Sequence, residues 1–99
     1  MKLCNKSPLA VYAFVFSGDQ PPLSGANPVY KTPGDGNITP DGVIFDAPPG
    51  VYWVRMAISQ QPNPPKLSGP AGTLVCQTGG VRDKDTVVLT EDFRFEVQT

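Results

Sequence analysis

Between two short segments in which inward and outward side chains alternate, residues 43–46 and 51–59, the chain carries the tripeptide Pro48-Pro49-Gly50. Proline fixes φ and glycine admits positive φ, so this tripeptide reverses the chain with little conformational freedom. Two strands meeting at a rigid corner constrain a chain of 99 residues more than any other feature in it. They predict a single domain, residues 1–99, built as a small all-β, antiparallel sandwich of the immunoglobulin-like kind with about seven short strands.

The rest of the chain agrees with that expectation. Twelve prolines and ten glycines fall between apolar runs and not in one block, so they read as turn punctuation, and 39% apolar residues suffice for one modest core. No stretch keeps a helical period over several turns. Strands are expected at residues 9–16, 27–31, 43–46, 51–59, 73–77, 86–90 and 93–97, with the Pro-, Gly- and Ser-rich residues 60–72 as a connection. Residues 27–31, with Pro28 inside, have the composition of a protected edge strand.

Alternation assigns the faces. In residues 51–59, Tyr52, Val54, Met56 and Ile58 point inward, which leaves Trp53 and Arg55 pointing outward. In the last strand Phe93, Phe95 and Val97 are expected inside. Residues 9–16 are apolar on both faces, so Tyr12, Phe14 and Phe16 are expected either under cover or in an outer patch.

With the strands placed, the order strand, Gly18-x-x-Pro21-Pro22-Leu23-x-Gly25-Ala26, short strand, Thr39-x-x-Gly42-x-x-Phe45, Pro48-Pro49-Gly50-x-Tyr52-x-Val54 resembles the prealbumin-like group of β-sandwiches. That group contains carboxypeptidase regulatory-like domains, Cna-B-type repeats and transthyretin-like modules, and the resemblance covers residues 14–58. It implies the same sandwich scaffold. Two activities known in the group have no counterpart here. Lys2 and Lys6 precede the first apolar run and no Asn or Asp lies inside residues 93–97, which argues against an internal isopeptide. The chain also has no histidine and ends Glu96-Val97-Gln98-Thr99, unlike the transthyretin-like hydrolases.

Charge and chemistry narrow the function further. Eight basic and nine acidic residues give a net charge of −1 with no basic stripe, so nucleic acid is not an expected partner. No apolar run approaches the roughly 20 residues of a membrane span. The apolar run near the N-terminus lacks a small-x-small cleavage site after it, which favours a cytoplasmic or particle-associated location over secretion. Without histidine, general acid–base work would fall to carboxylates, and Asp83, Asp85 and Glu91 are the candidates for an enzyme reading that ranks last. The serines Ser17, Ser24, Ser59 and Ser68 sit in turn-like sequence with no base in view.

Asp35, Asn37, Thr39 and Asp41 repeat oxygen at alternate positions as a calcium loop does, yet Pro40 stands where such a loop needs glycine. No cofactor is expected. Cys4 and Cys76 could close a long disulfide loop or remain buried thiols. The outward pair Trp53 and Arg55, the aromatics Tyr12, Phe14 and Phe16, and Pro64, Pro65 and Lys66 of the Pro-rich connection are the candidate contact residues. They point to a non-catalytic module that acts on another protein or on itself, as a small accessory, structural or inhibitor-type protein, an accessory protein of a phage or other particle being one such case. The alternative is a carbohydrate-binding module that stacks sugar on Trp53, Tyr52 or Tyr30.

Overall fold

The computed structural model describes residues 1–32, 38–58 and 73–99, and within them every regular element is a strand. In chain order these are β1 (Lys2–Asn5), β2 (Val11–Ser17), β3 (Tyr30–Lys31), β4 (Val43–Ile44), β5 (Val51–Ile58), β6 (Leu74–Arg82), β7 (Thr86–Leu89) and β8 (Phe95–Gln98). They form two four-stranded sheets, ordered β4-β1-β7-β8 and β3-β2-β5-β6, which pack as a β-sandwich. Residues 60–72, with Pro64, Pro65 and Lys66, lie outside the described residues, as do Asp35 and Asn37.

The core lies between the sheets. β5 shows the alternation that its sequence demands: Tyr52, Val54, Met56 and Ile58 are all buried. Val11, Ala13 and Val15 of β2 face them from the next strand, and Leu3, Val87 and Leu89 close from the other sheet. Two aromatic contacts seal the open sides. Tyr30 stacks on Phe45 with ring centroids 4.5 Å apart, joining the β3 and β4 edges, and half-buried Phe95 of β8 packs against the core near Cys76 of β6.

The Pro-Pro-Gly corner is held by its own strand. The buried Tyr52 hydroxyl donates to the carbonyl oxygen of Pro48, four residues back. Gly50 N–H donates to Asp83 Oδ1 at 3.3 Å, so the corner is also tied to the β6–β7 turn. A second local device sits at β2, where the chain after β3 no longer pairs as a strand. Buried Thr32 replaces it: its Oγ1 accepts from Ala13 N–H at 2.8 Å while its own N–H donates to the Ala13 carbonyl at 3.1 Å. That arrangement keeps the backbone of β2 satisfied where it would otherwise be buried without a partner. Asn5 acts likewise at the β1–β2 turn, donating Nδ2–H to the Leu9 carbonyl and accepting from Ser7.

Several expectations are corrected here. The described residues form eight strands where about seven were expected, the addition being Lys2–Asn5, whose Leu3 and Cys4 are buried. Four residues with a polar one at each end are too few for periodicity to register. The sandwich is also not wholly antiparallel, because β1 pairs with β7 in parallel, Lys2 opposite Thr86 through Asn5 opposite Leu89. β6 runs on to Arg82 through Gly79 and Gly80, with irregular register against β5 instead of an end at Gln77.

Phe93 does not point inward. It lies in the β7–β8 turn with φ +63° and is exposed, as is Val97 near the free edge of β8.

Removing the corner staple should be measurable. Tyr52→Phe keeps the ring in the core but leaves the Pro48 carbonyl without its donor, and should lower stability by about 1–2 kcal/mol in urea unfolding. An unchanged midpoint would show that the corner needs no such bond.

Candidate functional site

The outer face of the β3-β2-β5-β6 sheet gathers most of the candidate contact residues. Because β2 and β5 are antiparallel neighbours in register, Phe16 lies opposite Trp53, Phe14 opposite Arg55, and Tyr12 opposite Ala57. Lys31 of β3 stands on the far side of Phe14. The three β2 aromatics form a ladder along the strand: Tyr12 meets Phe14 edge-on at 4.9 Å, and Phe14 and Phe16 are 6.5 Å apart. Tyr12 and Phe14 are half-buried, whereas Phe16 is almost covered.

Cations cap this ladder. The Lys31 ammonium lies 5.4 Å from the Phe14 ring centroid and the Arg55 guanidinium 5.5 Å from that of Phe16. Both distances fall within cation–π range. Arg55 is further fixed by Nε–H donating to Gln77 Oε1 at 2.9 Å, and Trp53 Nε1–H donates to the same oxygen at 3.1 Å. One amide thus holds both outward residues of β5. No carboxylate among the described residues pairs with Lys31 or Arg55.

Trp53 is half-buried and held by its neighbours, so it is not a free platform. Its indole lies close against the backbone of Gly79: a Cβ added there would sit 2.4 Å from Trp53 Cε3 and 2.8 Å from the Asp19 carbonyl oxygen. The absence of a side chain at residue 79 is what lets the ring come so close. Sequence reading placed Trp53 on the outer face correctly but could not see Gly79, since a glycine within a strand reads only as a bulge or a break.

Beside this cluster opens a groove of about 430 Å³, lined by Phe14, Phe16, Arg55, Ala57 and Leu74 with Ala26 and Pro28 from the chain leading to β3. Leu74 stands exposed on its rim. Sequence reasoning missed Leu74, Ala26 and Pro28 because none carries chemistry by itself; only the folded loop brings residues 26 and 28 to β2.

Other candidates are not assembled into a site. Tyr52 is buried with its hydroxyl engaged, and Tyr30 is stacked on Phe45, so neither presents a free ring to a sugar. Asp83 and Asp85 sit on the turn before β7 and Glu91 on the turn after it, at opposite ends of that strand. The carboxylates of the first two are occupied by the turn: Asp83 Oδ1 accepts from Gly50 and Asp85 Oδ2 from Arg82 N–H at 2.9 Å. Thr39 Oγ1 accepts from Gly42 N–H, as turn residues do, and among the described residues no three metal-binding side chains gather.

Cys4 and Cys76 are both free thiols, on strands of different sheets. Burial pushes the Cys76 thiol above its usual range, against smaller opposing effects of backbone hydrogen bonds at Gln77 and Phe95.

Comparison with protein-family models, with curated proteins and with solved structures gave no match in any of the three. The site is therefore argued from its own residues.

Two outcomes follow from this geometry. Gly79→Ala must displace the Trp53 ring or the β6 backbone; overpacking of this kind costs about 1–3 kcal/mol and should shift the Trp53 emission spectrum. An unshifted spectrum with unchanged stability would show that the ring is not pinned. Alkylation of Cys76 in the folded Cys4→Ser variant should be slower at pH 8 than that of a free thiol, rising only at higher pH, because the thiolate is the reactive form. A rate equal to that of the unfolded chain would contradict the burial effect.

Proposed function

We propose that this chain is a non-catalytic β-sandwich module that works through protein–protein contacts made by the outer face of the β3-β2-β5-β6 sheet. One observation carries the reading: an aromatic ladder capped by Lys31 and Arg55, which have no carboxylate partner among the described residues, adjoins a groove of mixed polar and apolar lining. Arg and aromatic residues are the types that dominate binding energy at interfaces. Gln77 adds to this by holding Trp53 and Arg55 in one orientation, so less side-chain freedom is lost on contact. The prealbumin-like reading of the scaffold rests on the Pro-Pro-Gly corner, and an accessory, structural or inhibitor-type role suits a small sandwich whose inner residues are all given to the core.

A photo-crosslinking residue at position 74, on the groove rim, tests this in cells that make the protein, with position 44 on the other sheet as the control. Protein adducts from position 74 that are absent from position 44 and lost on Arg55→Glu are the expected result. Identical adducts from both positions, or none from 74, overturn it. Saturable quenching of Trp53 fluorescence by an oligosaccharide, without protein adducts, would put the sugar-binding reading in its place.

A further inference from the structure

The β7–β8 turn carries a large apolar side chain, Phe93, that is 39% exposed. Phe93 N–H donates to the Thr90 carbonyl at 3.0 Å and Thr90 N–H to the Arg94 carbonyl at 2.8 Å, which makes residues 91–93 a three-residue hairpin loop. Such loops end in a left-handed residue, normally glycine, because a Cβ is strained there. Here that position holds phenylalanine, with φ +63°. Of the nine aromatic residues in the chain, Phe93 alone is classed as exposed. A phenylalanine kept in a left-handed turn position outside the core cluster is a candidate for a role at the surface.

The charges around Phe93 are the complement of those on the groove. Glu91 and Asp92 immediately precede it and are exposed, Glu96 follows on β8, and Arg94 is the single cation between. The sheet that carries the groove has the opposite sign. Its four strands contain Lys31, Arg55 and Arg82 and not one acidic residue. The molecule thus carries an acidic, aromatic knob and a cationic, aromatic-lined groove.

We propose that the groove receives the Glu91-Asp92-Phe93 turn of a second copy of this chain. Phe93 fills the space between Phe14, Phe16 and Leu74, and the two acids meet Arg55 and Lys31. This assignment rests on the reading of the groove as a protein-docking surface and names its occupant. Knob and groove are different patches, so the contact is heterologous. Each copy keeps one free knob and one free groove, and association continues into a ring or a filament instead of stopping at a symmetric dimer.

Sedimentation velocity on the purified chain over about two decades of concentration, up to about 1 mM, is the test. Wild type should grow in mass with concentration and revert toward monomer at high salt. Phe93→Gly should remain monomeric while its thermal midpoint matches or exceeds that of wild type, since glycine relieves the turn. Arg55→Glu should also remain monomeric, and Leu74→Asp, on the exposed rim, gives the same reading if Arg55→Glu fails to fold. An equimolar mixture of a knob variant and a groove variant has one functional knob and one functional groove, so it should stop at a pair of twice the monomer mass.

A wild-type monomer throughout the range, a Phe93→Gly chain that associates like wild type, or a mixture that stays monomeric overturns the assignment. If wild type is monomeric while position 74 still yields groove-dependent adducts with another protein, the second copy is wrong and the docking surface stands. Association indifferent to Arg55 and Leu74 removes both.

Discussion

The register of β5 is the constraint on which the rest depends. A strand alternates faces with period two, so a slip of one residue would send Trp53 and Arg55 into the core and Tyr52, Val54 and Met56 into solvent. The hydroxyl of Tyr52 guards against this. Its bond to the Pro48 carbonyl ties the first inward residue of the strand to the rigid corner before it, and Asp83 anchors the same corner from the β6–β7 turn. Every later placement on the outer face, from Phe16 opposite Trp53 to Phe14 opposite Arg55, inherits that register.

What was legible in the sequence follows from how each signal is encoded. The inward set of β5 and the edge position of β3 were readable because alternation and proline act locally. β1 was not, because four residues carry too little periodicity and the strand forms by pairing with β7 from the far end of the chain. Phe93 was misplaced for a related reason. Alternation extrapolated back from Phe95 assumed that the strand had already begun, whereas the left-handed turn residue breaks the period at that point.

The candidate site divides in the same way. Trp53 and Arg55 could be put on one face from sequence, since that depends only on strand period, whereas the β2 aromatics join them through the β2–β5 register. Their state could not be read from sequence. Whether Trp53 stands free or is held is decided by a missing side chain at Gly79 and by one amide at Gln77, both on a neighbouring strand. The groove depends on Ala26 and Pro28, which only the path of a loop brings beside Phe14. Tyr52, offered as a stacking ring by composition, turned out to be the fastening of the corner.

The parallel pairing of β1 with β7 has a kinetic meaning. The strand at Lys2–Asn5 finds a neighbour on one side in β4 and on the other only once Thr86–Leu89 is available. Bringing such distant segments together costs loop-closure entropy before any contact repays it, so this step belongs late in folding and slows it. Until it happens, Leu3 and Cys4 are uncovered and the central strand of one sheet is absent. The sheet holding β1 therefore depends on contacts between the two ends of the chain more than its neighbour does.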